Sequence, residues 1–314
     1  MVLSKNSLII TLFTAYCFVI SYILLGLYVK GDQLHYIRFY ETISEYNFIK
    51  GFVHYNMVLG SQEPVYYVLV YIVNPIISKK FLISILNAVL GYFLSRLLLE
   101  RRLHPSLLVL LALNFYLLVL FLGAERLKLG LIVLLMSFVV KNSRFSGFLK
   151  FLSILTHFQT ILLLLSEQLG KVPELAKKIR FDRISYKAVG AVGVGILMVF
   201  ILVALRSHLQ SKLAFYIEKG GLSDAIKPLF FMILSMLYTS PNKYKEVFFM
   251  SFPLVVAAVI IGDDRVAIFS YFLFFYFAST YRRGLNLGIF LTSFYFIFKG
   301  VVFIQAVINT GSGF

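Results

Sequence analysis

The sequence predicts an all-α, polytopic integral membrane protein, a helical bundle of about nine to eleven membrane segments, some of them short, broken or re-entrant. Three observations predict it. Of the 314 residues, 60% are hydrophobic and 14% charged, whereas soluble domains run near half apolar and roughly a quarter charged. Mean hydropathy is +0.88, and apolar runs recur along the whole chain. The cations stand in short clusters between those runs, as in "SKK", "ERRLH", "KNSR", "AKKIRFDR", "NKYK" and "YRR", which is where lipid headgroups and the positive-inside bias place them.

The elements follow in order. Leu8–Val29 comes after Lys5 and lacks a small-x-small cleavage site, so it reads as a retained helix. It holds Cys17, the only cysteine, so no disulfide within the chain and no thiolate metal cage is expected. Further apolar segments fall at Pro64–Ile77, Phe81–Leu99, Pro105–Leu122, Leu127–Val140, Phe148–Leu165, Ala188–Leu205, Leu229–Leu237, Val247–Ile261, Val266–Tyr281 and Leu287–Ile308. A span needs about 20 apolar residues. Pro64–Ile77, Leu127–Val140 and Leu229–Leu237 are shorter, which points to helices broken where backbone lines a cavity. Residues 1–314 read as one polytopic domain with extracytoplasmic loops near 30–63 and 206–228. No internal repeat is visible.

The net charge of +16 does not point to nucleic acid, because no basic-aromatic region stands outside the apolar runs to grip a strand. It sets an orientation instead. Lys5 is expected inside and Lys30–Glu63 outside, with Lys171–Lys187 inside again. Between 78 and 150 two topologies remain. Strict alternation places Arg101–Arg102 and Lys141–Arg144 outside, against the bias. If Pro64–Ile77 and Phe148–Leu165 re-enter, those clusters turn inward and Glu125–Arg126 faces out.

Polar islands in this apolar chain mark the candidate site. In "GAERLKLGLIVLL", Glu125, Arg126 and Lys128 lie at membrane depth, where an ionisable group is by default functional. The alternative is an interfacial loop with Glu125 and Lys128 paired at i,i+3. In "FLSILTHFQTILLLL", Ser153, Thr156, His157 and Thr160 fall at i, i+3, i+4 and i+7, one polar stripe on a helix, and His157 is a candidate general base. In "IIGDDRVAIFSYFLFFYF", Asp263 or Asp264 caps the helix opening at Val266, while Arg265 balances the charge; with no third ligand nearby, no metal is expected. In the exterior loop Asp32, Tyr36 and Tyr40 recur every four residues, an acid-and-aromatic face suited to carbohydrate or, alternatively, to the headgroup layer. Glu63 directly precedes Pro64 at a helix start.

Together "GDQLHYIRFY", "EPVYYVL", "ERLKLGLIVLL" and "LTHFQTILLLL", followed by "KLAFYIEKG" and "DDRVAIFSYF", resemble the EpsG family of bacterial polysaccharide polymerases, relatives of the Wzy O-antigen and capsule polymerases. The resemblance covers residues 30–280. Two departures stand out: Arg126-Leu127-Lys128 where the family has Arg-Gln and a small residue, and Thr156–His157 where it has Phe-His.

The resemblance implies a GT-C-like glycosyltransferase in the bacterial cytoplasmic membrane. It would polymerise undecaprenyl-pyrophosphate-linked oligosaccharide repeat units on the extracytoplasmic side, without a cofactor and beside a chain-length regulator and a flippase. It assigns catalysis to His157, Arg126 and Arg265, the arginines clamping pyrophosphate. Asp32, Tyr36, Glu63, Glu125, Tyr216 and Tyr271 would bind substrate, with Glu63 or Asp32 as reserve bases. The rivals are a transporter or flippase of lipid-linked sugars, for which repeat symmetry would be expected, and a ligase-type glycosyltransferase.

Overall fold

A computed structural model describes residues 4–173, 221–262 and 265–313. The described residues are helical throughout, without a strand. Their contacts gather into two units, residues 1–160 with 290–314, and residues 161–289.

The first unit is built on two long antiparallel helices, α1 (Lys5–Leu25) and α5 (Lys79–Glu100). Each is long and apolar enough to cross a membrane. At about 1.5 Å per residue they reach roughly 30 Å, the thickness of the hydrocarbon layer. They close on each other where a Cβ on Gly91 would press on the Cys17 Sγ. Near one end Lys80 Nζ lies over the Tyr22 ring, 4.0 Å from its centroid. Lys5 and Arg101–Arg102 therefore share the other end.

Between α1 and α5 the chain makes three shorter helices. α2 (Asp32–Thr42) and α3 (Phe48–Leu59) occupy the stretch read as an exterior loop. Asn47 opens α3 by accepting the Lys50 amide N–H, and Gly60 closes it at φ +56°. Pro64 then starts α4 (Pro64–Val73), and Glu63 before it is extended, as a residue preceding proline must be. At 10 residues α4 spans about 15 Å, too short to cross. Buried Tyr36, Phe39, Tyr40, Ile43, Tyr55, Tyr66 and Tyr67 lock α2, α3 and α4 into one aromatic core.

Beyond α5, two predicted single segments are broken. Pro105–Leu122 divides into α6 (Ser106–Ala112) and α7 (Phe115–Leu122), because Asn114 turns its side chain to the Tyr116 N–H and starts a new helix. Phe148–Leu165 divides at His157 into α9 (Ser143–Thr156) and α10 (Thr160–Gly170). Between them α8 (Glu125–Val139) packs on α5 and α9.

In the second unit α11 (Ile226–Leu237), α12 (Tyr244–Ile261) and α13 (Val266–Ala278) pack on one another. The last helix, α14 (Leu287–Thr310), carries an outward row of Leu291, Phe294, Tyr295, Phe298 and Val302. So large an apolar surface suits lipid rather than water. Four stretches among the described residues are long and apolar enough to cross a membrane: α1, α5, Pro241–Ile261 and Tyr281–Thr310. Three shorter apolar helices accompany them, α4, α10 and α13. Several segments predicted from the sequence are thus short pieces, as broken helices require.

Antiparallel α1 and α5 give a labelling test. In a Cys17→Ala background, cysteines from Asn6→Cys and Arg101→Cys should react with a membrane-impermeant maleimide from the same side of a sealed vesicle. Ile76→Cys should react from the other side. Labelling of Asn6→Cys and Arg101→Cys from opposite sides would contradict the arrangement.

Candidate functional site

The polar residues buried in the first unit gather where three helices begin or end. Glu63 stands just before α4, Arg126 lies in the first turn of α8, and His157 terminates α9. Helix N-termini favour carboxylates, so the starts of α4 and α8 suit Glu63 and Glu125. All four side chains are buried: Glu63 is 6% exposed, Arg126 8%, His157 3% and Glu125 0%.

Glu63 is the hub. Its Oε2 accepts from Arg126 Nη1 at 2.8 Å, from Tyr55 OH at 3.4 Å and from Ser61 Oγ. Its Oε1 lies 2.7 Å from His157 Nδ1. That contact has the length of a hydrogen bond but leaves Nδ1 without an aligned one, so it is an ion-pair approach that a small ring rotation would straighten. Arg126 Nε donates to Tyr36 OH at 3.3 Å. His157 Nε2 meets Gln159 Oε1 at 3.1 Å. With the Gln159 amide turned over, the same geometry serves a neutral imidazole that donates from Nδ1 and accepts at Nε2. Burial pushes the Tyr55 phenol well up, and the Glu63 charge adds to this, so Tyr55 remains a neutral donor to the carboxylate.

A second network begins one residue earlier. Glu125 accepts from Gln33 Nε2 at 3.0 Å and from Tyr66 OH at 2.8 Å, and pairs with Lys79 at 3.4 Å. Gln33 also donates to the Leu122 carbonyl and accepts from Lys79 Nζ. Lys128, fully buried, donates to the Phe121 carbonyl at 3.1 Å. Adjacent residues on a helix point about 100° apart, so Glu125 and Arg126 feed separate networks from one turn.

Several sequence expectations change. Glu125 does not pair with Lys128 within α8; its cation is Lys79 on α5. Neither Glu125 nor Arg126 is an interfacial loop residue. The stripe Ser153–Thr156–His157–Thr160 does not lie on one helix. His157 is extended, at φ −155° and ψ 116°, and the hydroxyls of Ser153, Thr156 and Thr160 donate to the carbonyls of Lys150, Leu152 and His157. The three hydroxyls are therefore satisfied by nearby carbonyls, and His157 turns to Glu63 instead. The break is tightly held, since a Cβ on Gly130 of α8 would stand 3.0 Å from His157 Cβ.

Tyr36 and Tyr40 are not an open stacking platform. Both are buried, and Tyr66 OH lies 3.5 Å from Tyr40 OH. Asp32 stands exposed in the first turn of α2 and makes no hydrogen bond or ion pair among the described residues. Arg265 and Tyr271 belong to the second unit. There Arg265 is half-buried before α13, and Tyr271 is a core ring packed against Phe231 and Phe274. Tyr216, Asp263 and Asp264, with most of the 206–228 loop, lie outside the described residues. Sequence reasoning missed Gln33, Tyr55, Ser61, Tyr66 and Lys79; only Lys79 carried a signal, and the "SKK" cluster reads as a headgroup cation.

The chain matches no family model, no curated protein and no solved structure.

The shared carboxylate has a measurable consequence. Glu63→Gln should destabilise the protein by about 3–5 kcal/mol, because it strands a buried guanidinium. Glu63→Gln combined with Arg126→Met should recover much of that loss. Chemical unfolding in detergent of the wild type, both single variants and the double variant reads the coupling. Additive losses would mean that the two residues act independently.

Proposed function

We propose that this chain is a GT-C-like membrane glycosyltransferase that joins lipid-pyrophosphate-linked oligosaccharide repeat units on the extracytoplasmic side of a bacterial cytoplasmic membrane. The observation that carries the reading is His157 Nδ1, 2.7 Å from a Glu63 carboxylate that also takes Arg126. Carboxylate, imidazole and guanidinium together are what glycosyl transfer from a pyrophosphate leaving group asks for.

The chemistry runs as follows. Glu63 orients the imidazole through Nδ1 and stabilises the imidazolium that forms, the role a carboxylate plays beside a catalytic histidine. Nε2 takes the proton of the acceptor hydroxyl as that oxygen bonds to the anomeric carbon. The bond from the anomeric carbon to the pyrophosphate oxygen breaks, and undecaprenyl pyrophosphate leaves with the electron pair. Arg126 has Nε on Tyr36 and Nη1 on Glu63, while Nη2 has no partner among the described residues and is available to the departing anion. The substrates are lipid-borne, and a flippase and a chain-length regulator are the expected partners.

Orientation agrees with it. α1 and α5 put Lys5 and Arg101–Arg102 at one end, the cytoplasmic one by the positive-inside rule. An α4 of 10 residues between antiparallel α1 and α5 supports the second of the two sequence topologies.

The test uses a strain making surface polysaccharide. Deletion should leave a single capped repeat unit on a glycan gel; a flippase loss would leave none. Restoring the chain with His157→Ala, Glu63→Gln or Arg126→Lys should lower long-chain product by roughly 10²-fold or more, while the protein still enters the membrane fraction. Normal chain length in all three variants would overturn the assignment.

A further inference from the structure

Glu63 and Tyr36 engage two of the five N–H donors of the Arg126 guanidinium. Another part of the first unit offers cations with a space beside them. Where α2, α4 and α5 meet, a cavity of about 330 Å³ is lined by Tyr40, Glu41, Asn74, Ser78, Lys79 and Lys80. Glu63, Arg126 and His157 are not among its lining residues.

The two lysines differ. Lys79 is held by Gln33 and Glu125 and is 16% exposed. Lys80, partly buried, makes no hydrogen bond or ion pair through its Nζ among the described residues; it rests on the face of Tyr22. A partly desolvated ammonium without a carboxylate is a charge waiting for an anion. Ser78 makes no side-chain hydrogen bond to the first turn of α5, so backbone N–H groups there are also open, at the positive end of a 22-residue helix. Two ammonium groups and a row of N–H donors around one cavity are the surroundings a phosphoryl group selects. Glu41 is the group of opposite sign. Exposed at the rim, it repels a bare polyanion and accepts hydroxyls from whatever the phosphate is esterified to.

We infer that this cavity binds a phosphate ester through Lys79 and Lys80. The ester comes either from a membrane lipid headgroup or from a water-soluble phosphate. The inference rests on the cavity alone and holds whether or not the chain transfers sugars. Because Lys79 also pairs with Glu125, one residue before Arg126, an occupant here touches a residue tied to the first turn of α8.

The test uses the purified full chain and two probes. Glycerol 3-phosphate, a soluble phosphate ester, is titrated against protein in detergent, read by calorimetry and by the shift of the unfolding temperature. Vesicles of phosphatidylcholine with or without phosphatidic acid then supply lipid, with retention of phosphatidic acid read by native mass spectrometry. Saturable binding of glycerol 3-phosphate assigns the soluble source, and selective retention of phosphatidic acid assigns the lipid.

Lys80→Gln breaks no hydrogen bond or ion pair among the described residues, so it should fold while weakening whichever probe binds by roughly tenfold. Lys80→Glu should abolish that binding, and Glu41→Gln should reduce the preference for glycerol 3-phosphate over inorganic phosphate. Failure of both probes to bind the wild type overturns the inference, as does binding that Lys80→Glu leaves unchanged. Sugar transfer enters none of these readouts, so loss of the polymerase reading and loss of this site are separate outcomes.

Discussion

Glu63 holds the ends of three helices together through one carboxylate. Arg126 reaches it from α8 and His157 from α9, while Ser61 and Tyr55 fill its remaining acceptor positions. A carboxylate with 6% exposure carries a desolvation cost of several kcal/mol, offset only when its partners are close and numerous. The chain meets that condition by breaking helices. An unbroken α4, α8 or α9 would point these groups along helix faces; ending the helices lets three termini converge on a point. The aromatic core of α2, α3 and α4 then keeps water from competing for the same hydrogen bonds.

Much of this was legible in the sequence because apolar surroundings make polar residues conspicuous. Glu125, Arg126 and His157 stand out in hydrocarbon-like runs, and Glu63 stands out by preceding Pro64. Helix positions were legible for the same reason: the predicted Leu127–Val140 and Val247–Ile261 correspond to α8 and α12. The break at His157 was not legible. "FLSILTHFQTILLLL" contains no Gly or Pro, and its hydroxyls keep helical spacing across the break. The extended backbone of His157 comes from tertiary contact, the close approach of Gly130 on α8, and no local signal encodes it. Lys79 and Gln33 were equally hidden, since each belongs to the site only through a residue far along the chain.

Glu125 and Arg126 give the first turn of α8 a double role. One faces Gln33, Tyr66 and Lys79; the other faces Glu63 and Tyr36. Both sit in one helical turn, so a continuous run of contacts leads from Lys79 at the N-terminus of α5 through Glu125, Arg126 and Glu63 to the imidazole at the end of α9.

The charge balance of the cluster sets what it can accept. Glu63 and Glu125 supply two negative charges, and the Arg126 and Lys79 cations that pair with them supply two positive ones. With His157 neutral, these four charges balance in surroundings where charge is weakly screened. Taking a proton onto His157 adds an unbalanced positive charge, which the interior tolerates only if negative charge arrives or develops nearby at the same moment. Under the glycosyl transfer proposed above, proton uptake by the imidazole and build-up of negative charge on the leaving group would therefore be favourable together and costly apart, and the buried carboxylate at these three helix ends would supply that linkage.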